Sequence, residues 1–347
     1  MTANGLATNR ASLWSARLLM NIDISAILTT YQRPKLAERA LQSILAQTFV
    51  PRQIIVVEDG SKTWFSDWLS DLGRGDIEYF RHDENRGLAA ARNTGLHLAR
   101  HEFVAYLDDD DCWLPTRLEA QVQCWRDLPP DSRDAIAAIQ VGCEILDERE
   151  RHLGSAMPIN SGGLRKSIIE NGASTPSSCF LFARSALLSV GGFDETLISG
   201  IDHDIWMKLA VAGYSSAGIA KPLVVVYKDA RHSMMSNTEQ RIAGIRQYIH
   251  KWTPTYEEWF GAKAGQAYAQ RYAIRVIGRL AGEKLVAGRV RECVLASGAV
   301  FGRAGREPAM LIYALALLTR SFLVAILQRI RVMAPIFLRR DTRPVQV

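Results

Sequence analysis

Cysteine is scarce and scattered in this 347-residue chain. The five residues (Cys112, Cys124, Cys143, Cys179, Cys293) are odd in number and contain no CxxC pair. That pattern excludes a disulfide framework and a zinc knuckle, and it fits a reducing compartment. The first twenty residues lack a continuous apolar segment, so no cleavable signal peptide is expected and a cytoplasmic location follows. There is no internal repeat and no low-complexity tract, which removes solenoid and fibrous readings. Acidic residues are scarce at the C-terminal end: from Gly261 onward there are 15 Lys/Arg against 4 Asp/Glu, leaving 27 against 32 upstream. Such asymmetry points to two jobs in one chain, with an anionic partner for the basic part. Aromatic residues are not interleaved with those basic residues, so no stacking platform for nucleic acid is expected.

With 48% hydrophobic and 22% charged residues, a sizeable core is available, enough for one large domain with additions or for two. "DISAILTTY" (Asp23 to Tyr31) is an apolar, β-branched run of strand length. Pro34 then opens a segment with Leu36, Ala40, Leu41, Ile44 and Leu45 at helical spacing. "QIIVVED" predicts a second strand, "IEYFRHD" a third, and "FVAYLD" a fourth, with "NRGLAAARNTGLHLA" becoming a helix before the last. This alternation predicts an α/β fold with a Rossmann-like, mainly parallel central sheet. In such sheets ligands bind beyond the carboxyl ends of the strands, where Asp59 and the run Asp108–Asp111 both fall. Further strands are expected in "AIAAIQVGCEIL", "SSCFLFAR" and "KPLVVVYK", and a helix from about Asp204 to Ala212. From Thr238 the chain reads as helical and basic.

Four consecutive carboxylates at the end of a buried strand repel one another, so either they form a solvated turn or helix cap, or a strong positive partner sits among them. Alternation along a strand end would send Asp108 and Asp110 to one side, Asp109 and Asp111 to the other. Hard oxygen ligands at that spacing suit Mg²⁺ or Mn²⁺, above all where phosphates supply further ligands.

Six motifs stand in a telling order: "TTYQRP", "LQSILAQTF", "IIVVEDGS", "NRGLAAARNTGL", "FVAYLDDDDCWLP" and "GGFDE…IDHDIWMKLA". Over about Ile22 to Ala212 they resemble the family 2 inverting glycosyltransferases of GT-A fold. The resemblance implies that Thr29, Tyr31 and Asp59 hold the base and ribose of a nucleotide-sugar, with Glu58 where the family usually shows Asp. Asn85, Arg86 and Arg92 would border the nucleotide, Arg92 either meeting phosphate or bracing the site. Asp108, Asp109 and Asp110 resemble the DxD triplet: Asp110 as main ligand of Mn²⁺ or Mg²⁺, Asp108 and Asp109 reaching the metal's surroundings or the ribose, and Asp111 structural. Asp202 matches the position of the catalytic base, although Ile201 replaces the usual Glu and a helix N-cap would account for the same residue. Trp206 is expected in the core or the acceptor floor. His232, beside Arg231, matches a histidine that completes the metal sphere or touches the diphosphate.

The implied organisation is a leader (1–20), a GT-A domain (21–237, its nucleotide-binding half about 21–115 and its acceptor half about 116–237) and a helical, basic region (238–347). The implied activity is metal-dependent transfer from a nucleotide-diphosphate sugar, UDP-sugar favoured, to a lipid-linked or cell-envelope glycan. A scaffold that binds nucleotide-sugar without catalysis, its acidic pair broken at Ile201, is a rival. A sugar nucleotidyltransferase is another, though "LTTYQRP" lacks the glycine-rich loop expected after its first strand. Pro308 to Arg340 is the most apolar stretch, yet Thr319, Arg320 and Ser321 interrupt it. Helices lying on an anionic membrane surface are expected there, ahead of buried or oligomer-forming helices and ahead of a spanning one. The location expected is therefore peripheral, on the cytoplasmic face of the inner membrane.

Overall fold

The structure is a computed structural model that describes residues 22–62, 65–158, 163–171, 176–228, 237–305 and 308–338. The chain divides into two compact units, one of Met1–Thr196 with Ile201–Lys228, the other of Leu197–Gly200 with Asp229–Val347.

In the first unit, β1 (Ile24–Thr30) is buried at all seven positions and β2 (Gln53–Glu58) at all six. Such unbroken burial requires cover on both faces, which is why these strands read as continuous apolar runs rather than alternating ones. α1 (Pro34–Leu45) supplies part of the cover: Pro34 occupies the first turn, where a missing N–H costs nothing, and Ala37, Ala40, Leu41 and Ile44 form its buried stripe. α2 (Ser66–Asp71), β3 (Ile77–Arg81), α3 (Leu88–Leu98) and β4 (Phe103–Asp108) follow. α3 lies close on β1, because a Cβ on Gly95 would stand 2.4 Å from Ile27 Cγ2.

β5 (Asp111–Trp113), α4 (Arg117–Asp127), β6 (Ile136–Asp147), β7 (His152–Ala156), α5 (Leu164–Asn171), β8 (Phe180–Ala183), α6 (Arg184–Ser189), α7 (Ile201–Val211) and β9 (Ser215–Lys228) complete the unit. Nine strands among the described residues make one sheet in the order β3-β2-β1-β4-β8-β6-β9-β5, with β7 on β6. β3, β2, β1 and β4 are mutually parallel, as is the β6–β9 pair, whereas β8 runs antiparallel to β4 and β6. The register sets Thr29 beside Asp108 and Thr30 beside Glu58, so the carboxyl ends of β1, β2 and β4 form one edge. The strand expected in "SSCFLFAR" begins only at Phe180, since Ser177–Cys179 form a 3₁₀ turn. The helix expected from Asp204 begins at Ile201.

The second unit is helical: α8 (Thr238–Phe260), α9 (Ala262–Val286), α10 (Val290–Ala304) and α11 (Pro308–Leu338). Asn237 caps α8, its side chain accepting from Gln240 N at 3.1 Å. α8 and α9 pack through tyrosines, with the Tyr248 and Tyr272 rings stacked 5.4 Å apart. Buried Lys284 is neutralised by Glu292 at 2.7 Å, and that carboxylate also accepts from Thr238 Oγ1. α11 crosses α9 where two small residues leave room: Leu317 lies over Gly278, and Ser321 over Gly282.

Candidate active site

The acidic run does not continue the alternation of β4. The strand ends at Asp108, Asp109 and Asp110 form a turn, and Asp111 begins β5. The four carboxylates therefore turn to different surroundings, with Arg33 shared by Asp109 and Asp110. Asp108 takes Arg92 Nη2 on both oxygens, at 2.8 and 3.0 Å. Asp109 accepts from Thr30 Oγ1 at 2.9 Å, from Tyr31 N at 3.3 Å and from Arg33 Nη1 at 3.1 Å. Asp110 shares that same Arg33 nitrogen at 3.0 Å, and its carbonyl accepts from Arg39 Nη2 at 2.9 Å. Asp111 is buried and accepts from Ser178 Oγ at 2.5 Å.

Burial dominates the proton affinities here. It pushes Asp109 up to about 6, with Arg33 opposing and Asp110 adding to the rise. Asp110 is raised by burial and then by Asp108, again against Arg33. Asp111 is raised well above the carboxylate range by burial and by its neighbours Asp110 and Asp108. Asp111 is thus a buried group hydrogen-bonded to a serine behind the turn.

Arg92 is the hinge pin of the site. Its side chain has no solvent exposure and lies on α3, with the guanidinium 5.4 Å from the Phe193 ring centroid. Burial alone would lower its proton affinity, but Asp108 and Asp202 outweigh this and hold it charged. The second ligand, Asp202, receives Arg92 Nη1 at 2.6 Å and the Ser177 hydroxyl. Burial would raise the Asp202 carboxyl; the Arg92 charge and the two hydrogen bonds instead bring it below the ordinary carboxylate range. Asp202 stands within the first turn of α7, one residue inside the helix rather than ahead of it. Its negative charge favours that helix end, and the hydrogen bonds from Arg92 and Ser177 both fall on Oδ1.

On the β2 side, Asp59 accepts from Arg86 N and Gly87 N, both at 2.8 Å, and faces His82 Nδ1 at 2.7 Å. A carboxylate has about four acceptor positions, so roughly one is left over. Glu58 turns inward and accepts from Tyr79 Oη and, at 3.3 Å, from Phe65 N. Gly60 makes the tight passage possible: φ is +66°, and a Cβ there would lie 2.2 Å from the Glu84 carbonyl carbon.

The structure thus brings Thr29, Tyr31, Asp108, Asp109 and Asp110 to neighbouring strand ends, with Arg92 of α3 joining Asp108 to Asp202 in the first turn of α7. Thr29 is buried, Tyr31 half-buried with its hydroxyl accepting from Gln32 Nε2 at 2.9 Å. Arg86 is half-exposed and meets Glu195 at 3.3 Å. Trp206 lies in the core, its ring 4.5 Å from that of Phe180. His232 and Arg231 lie outside the described residues. Among the described residues no three acidic, histidine or cysteine side chains converge as a preassembled metal cage. Sequence reading passed over Arg33, Ser177, Ser178 and Asn93. Arg33 was legible as the one cation of "TTYQRP". Asn93, which exchanges hydrogen bonds with Phe193 N and O and reaches Glu195, carries no local signal because its partners lie about a hundred residues away.

The family model for glycosyl transferase family 2 matches residues 25–191, the segment that builds this edge. Residues 25–191 carry a family 2 glycosyltransferase domain. An uncharacterized glycosyltransferase of Rickettsia felis is 33% identical over 193 residues, 54% of this chain but only 31% of that protein's length. An Escherichia coli UDP-Gal:alpha-D-GlcNAc-diphosphoundecaprenol beta-1,3-galactosyltransferase is 27% identical over 252 residues, 71% of this chain and 85% of that protein. Among solved structures, S. aureus TarS 1-349 in complex with UDP-GlcNAc aligns with a TM-score of 0.54 at 18% identity, covering 90% of this chain and 92% of the other. The Pyrobaculum calidifontis mannosyltransferase PcManGT, in complex with GDP-Man and Mn²⁺, gives 0.50 at 18% identity, covering 94% and 96%. At these identities the structural likeness concerns the GT-A fold.

Proposed function

We propose that this chain is a metal-dependent, inverting family 2 glycosyltransferase. It would move a sugar from a nucleoside-diphosphate donor, a UDP-sugar first, to a hydroxyl of a lipid-linked or cell-envelope glycan. The observation that carries this reading is the Arg92 bridge. One fully buried guanidinium ties the carboxylate at the end of β4 to the carboxylate in the first turn of α7.

The donor set suits a hard divalent cation, Mn²⁺ or Mg²⁺, because it consists of carboxylate oxygens and two of them already share a cationic partner in Arg33. Asp110 and Asp108 would hold the ion, which when bound neutralises charge on the departing nucleoside diphosphate. Thr29 and Tyr31 flank the nucleoside, Asp59 offers its remaining acceptor position to a base N–H, and Arg86 borders the phosphates. Asp202 serves as base. Arg92 and Ser177 keep it ionised, so it takes the acceptor's hydroxyl proton as that oxygen bonds to the anomeric carbon and the sugar–phosphate bond breaks on the opposite side. A single in-line displacement inverts the anomeric centre.

The second unit fits an anionic membrane surface as partner, at the cytoplasmic face of the inner membrane. No helix among the described residues is long and apolar enough to cross a membrane. α11 nevertheless exposes Ile312, Leu315, Leu323 and Ile326 at helical spacing, all at 50% or more, while Met310, Ala314 and Leu318 are buried on its other side. An exposed apolar stripe in a region rich in arginine is the make-up of a helix that lies in the headgroup layer.

The deciding experiment is a donor screen of the purified chain with Mn²⁺ or Mg²⁺, followed by nucleotide release in the presence of GlcNAc-diphosphoundecaprenol or related lipid-linked glycans. Binding and turnover of a UDP-sugar are expected. Failure of every UDP- and GDP-sugar to bind removes the reading.

A further inference from the structure

Two of the four consecutive carboxylates share one cation. Arg33 Nη1 stands 3.1 Å from Asp109 Oδ1 and 3.0 Å from Asp110 Oδ2. The other contacts of the run are made by groups that the fold fixes: the strand-end hydroxyl and N–H of Thr30 and Tyr31, the buried Arg92, Ser178 behind Asp111, and Arg39, whose guanidinium lies 3.9 Å from the Tyr227 ring centroid. Arg33 is held differently. Its backbone is pinned at the start of α1, where its carbonyl accepts from Leu36 N at 3.1 Å and Ala37 N at 3.0 Å. The preceding Gln32, at φ +55°, donates its N–H to Ser61 Oγ at 2.7 Å. From that fixed base a flexible three-carbon stem carries the guanidinium to the carboxylates, and the side chain keeps 15% of its exposure.

We propose that Arg33 is the resident counter-ion of the acidic run and exchanges with the divalent ion when the nucleoside diphosphate arrives, so that metal binding depends on nucleotide. This rests on the reading above in which Asp110 and Asp108 hold such an ion. A guanidinium and a dication compete for the same oxygens, and like charges cannot share a half-buried wedge at short range. Metal alone must therefore displace Arg33 from Asp110 and hold a dication close to its positive charge. A diphosphate removes the conflict, because the planar guanidinium fork matches phosphate oxygens and finds a new anionic partner as it leaves the carboxylates. Asp110 and Asp108 would then hold the ion, which would offset the phosphate charge. Every charge stays paired before and after the exchange. Asp109, anchored by Thr30 and Tyr31, keeps its place throughout.

The test is Mn²⁺ binding to the full chain, followed by electron paramagnetic resonance and calorimetry without and with saturating UDP or GDP. Wild type should bind Mn²⁺ weakly alone and more tightly with nucleotide. Arg33→Ala should bind Mn²⁺ alone about ten- to a hundredfold more tightly than wild type, as expected for removal of a charged hydrogen-bonding competitor, and should lose most of the nucleotide dependence. Arg33→Lys, which keeps the charge without the fork, should fall between. A merely structural role would weaken metal binding in both variants, the opposite sign. Equal Mn²⁺ affinity of wild type with and without nucleotide, or no tightening in Arg33→Ala, overturns the exchange and leaves the donor reading standing. Wild type that binds neither nucleotide nor Mn²⁺ overturns both.

Discussion

Arg92 Nη1 lies 2.6 Å from Asp202 Oδ1, joining residues that are 110 positions apart in the chain. The Arg92 charge helps to hold the Asp202 carboxyl below the ordinary range, which suits the proposed base. Asp202→Asn keeps the shape and can still pair with Ser177. Its turnover should fall by about 10²- to 10⁴-fold, the range for loss of a general base, while donor binding changes little. Single-turnover assays with parallel calorimetry separate the two. Full turnover in the variant would remove the base assignment, and loss of donor binding would make the role structural.

Removing the cation instead strands two carboxylates. Arg92→Met should lower stability by about 3 kcal/mol in urea denaturation, the low end for breaking a buried pair, since both carboxylates keep some solvent. Whatever activity remains should show its acid limb moved to higher pH, because the charge that holds Asp202 below the ordinary range is gone. An acid limb that does not move would separate Arg92 from the base.

The parallel half of the sheet was legible because its strands are buried on both faces and so read as apolar runs of strand length, "ISAILTT" and "QIIVVE". The acidic edge was legible for the same reason: charge directly after such a run must stand at a strand end. What alternation could not foresee is that Asp109 and Asp110 leave the strand, so that Arg33 takes both and Asp111 goes inward to Ser178. The Asp202 environment was half legible, since the motif marks the residue, but Arg92 and Ser177 reach it only through tertiary packing. β5 and β7, at three and five residues, are too short to carry a periodic pattern and became strands by pairing with β9 and β6.

Asp109 gives a pH test of the burial argument. Burial raises its folded value to about 6, above the ordinary carboxylate range, so the folded chain holds this proton more tightly than the unfolded one. Its contribution to stability is therefore fully present below about pH 4 and is lost as pH rises through about 6. Asp109→Asn has no such loss. The stability difference between variant and wild type should shift in the variant's favour from pH 4 to pH 7, by at most about 3 kcal/mol. A difference that stays flat across that range would show that Arg33 and Thr30 offset the burial in full.

Gly60 should tolerate no side chain. Its φ of +66° alone costs an L-residue about 1–2 kcal/mol, and a Cβ would also meet the Glu84–Asn85 backbone at 2.2 and 2.3 Å. Since Asp59 orders Arg86 and Gly87 through the same turn, Gly60→Ala should lower the melting temperature and weaken nucleotide binding together. Gly73, also at positive φ but with open space around its absent Cβ, is the control: Gly73→Ala should cost stability without touching nucleotide affinity.

The apolar stripe of α11 separates membrane association from self-association. Ile312 is 69% exposed and Leu315 59%, three residues apart on one side of the helix, so replacing both by Asp adds charge without opening a cavity. Sedimentation with vesicles containing anionic lipid should capture the wild type and release the Ile312→Asp/Leu315→Asp variant, and added salt should weaken capture because the arginines contribute. Donor binding should be unchanged, since these residues belong to the second unit. Capture that is indifferent to the double substitution, combined with a wild-type dimer in light scattering that the substitution splits, would assign the stripe to a second copy of the chain instead.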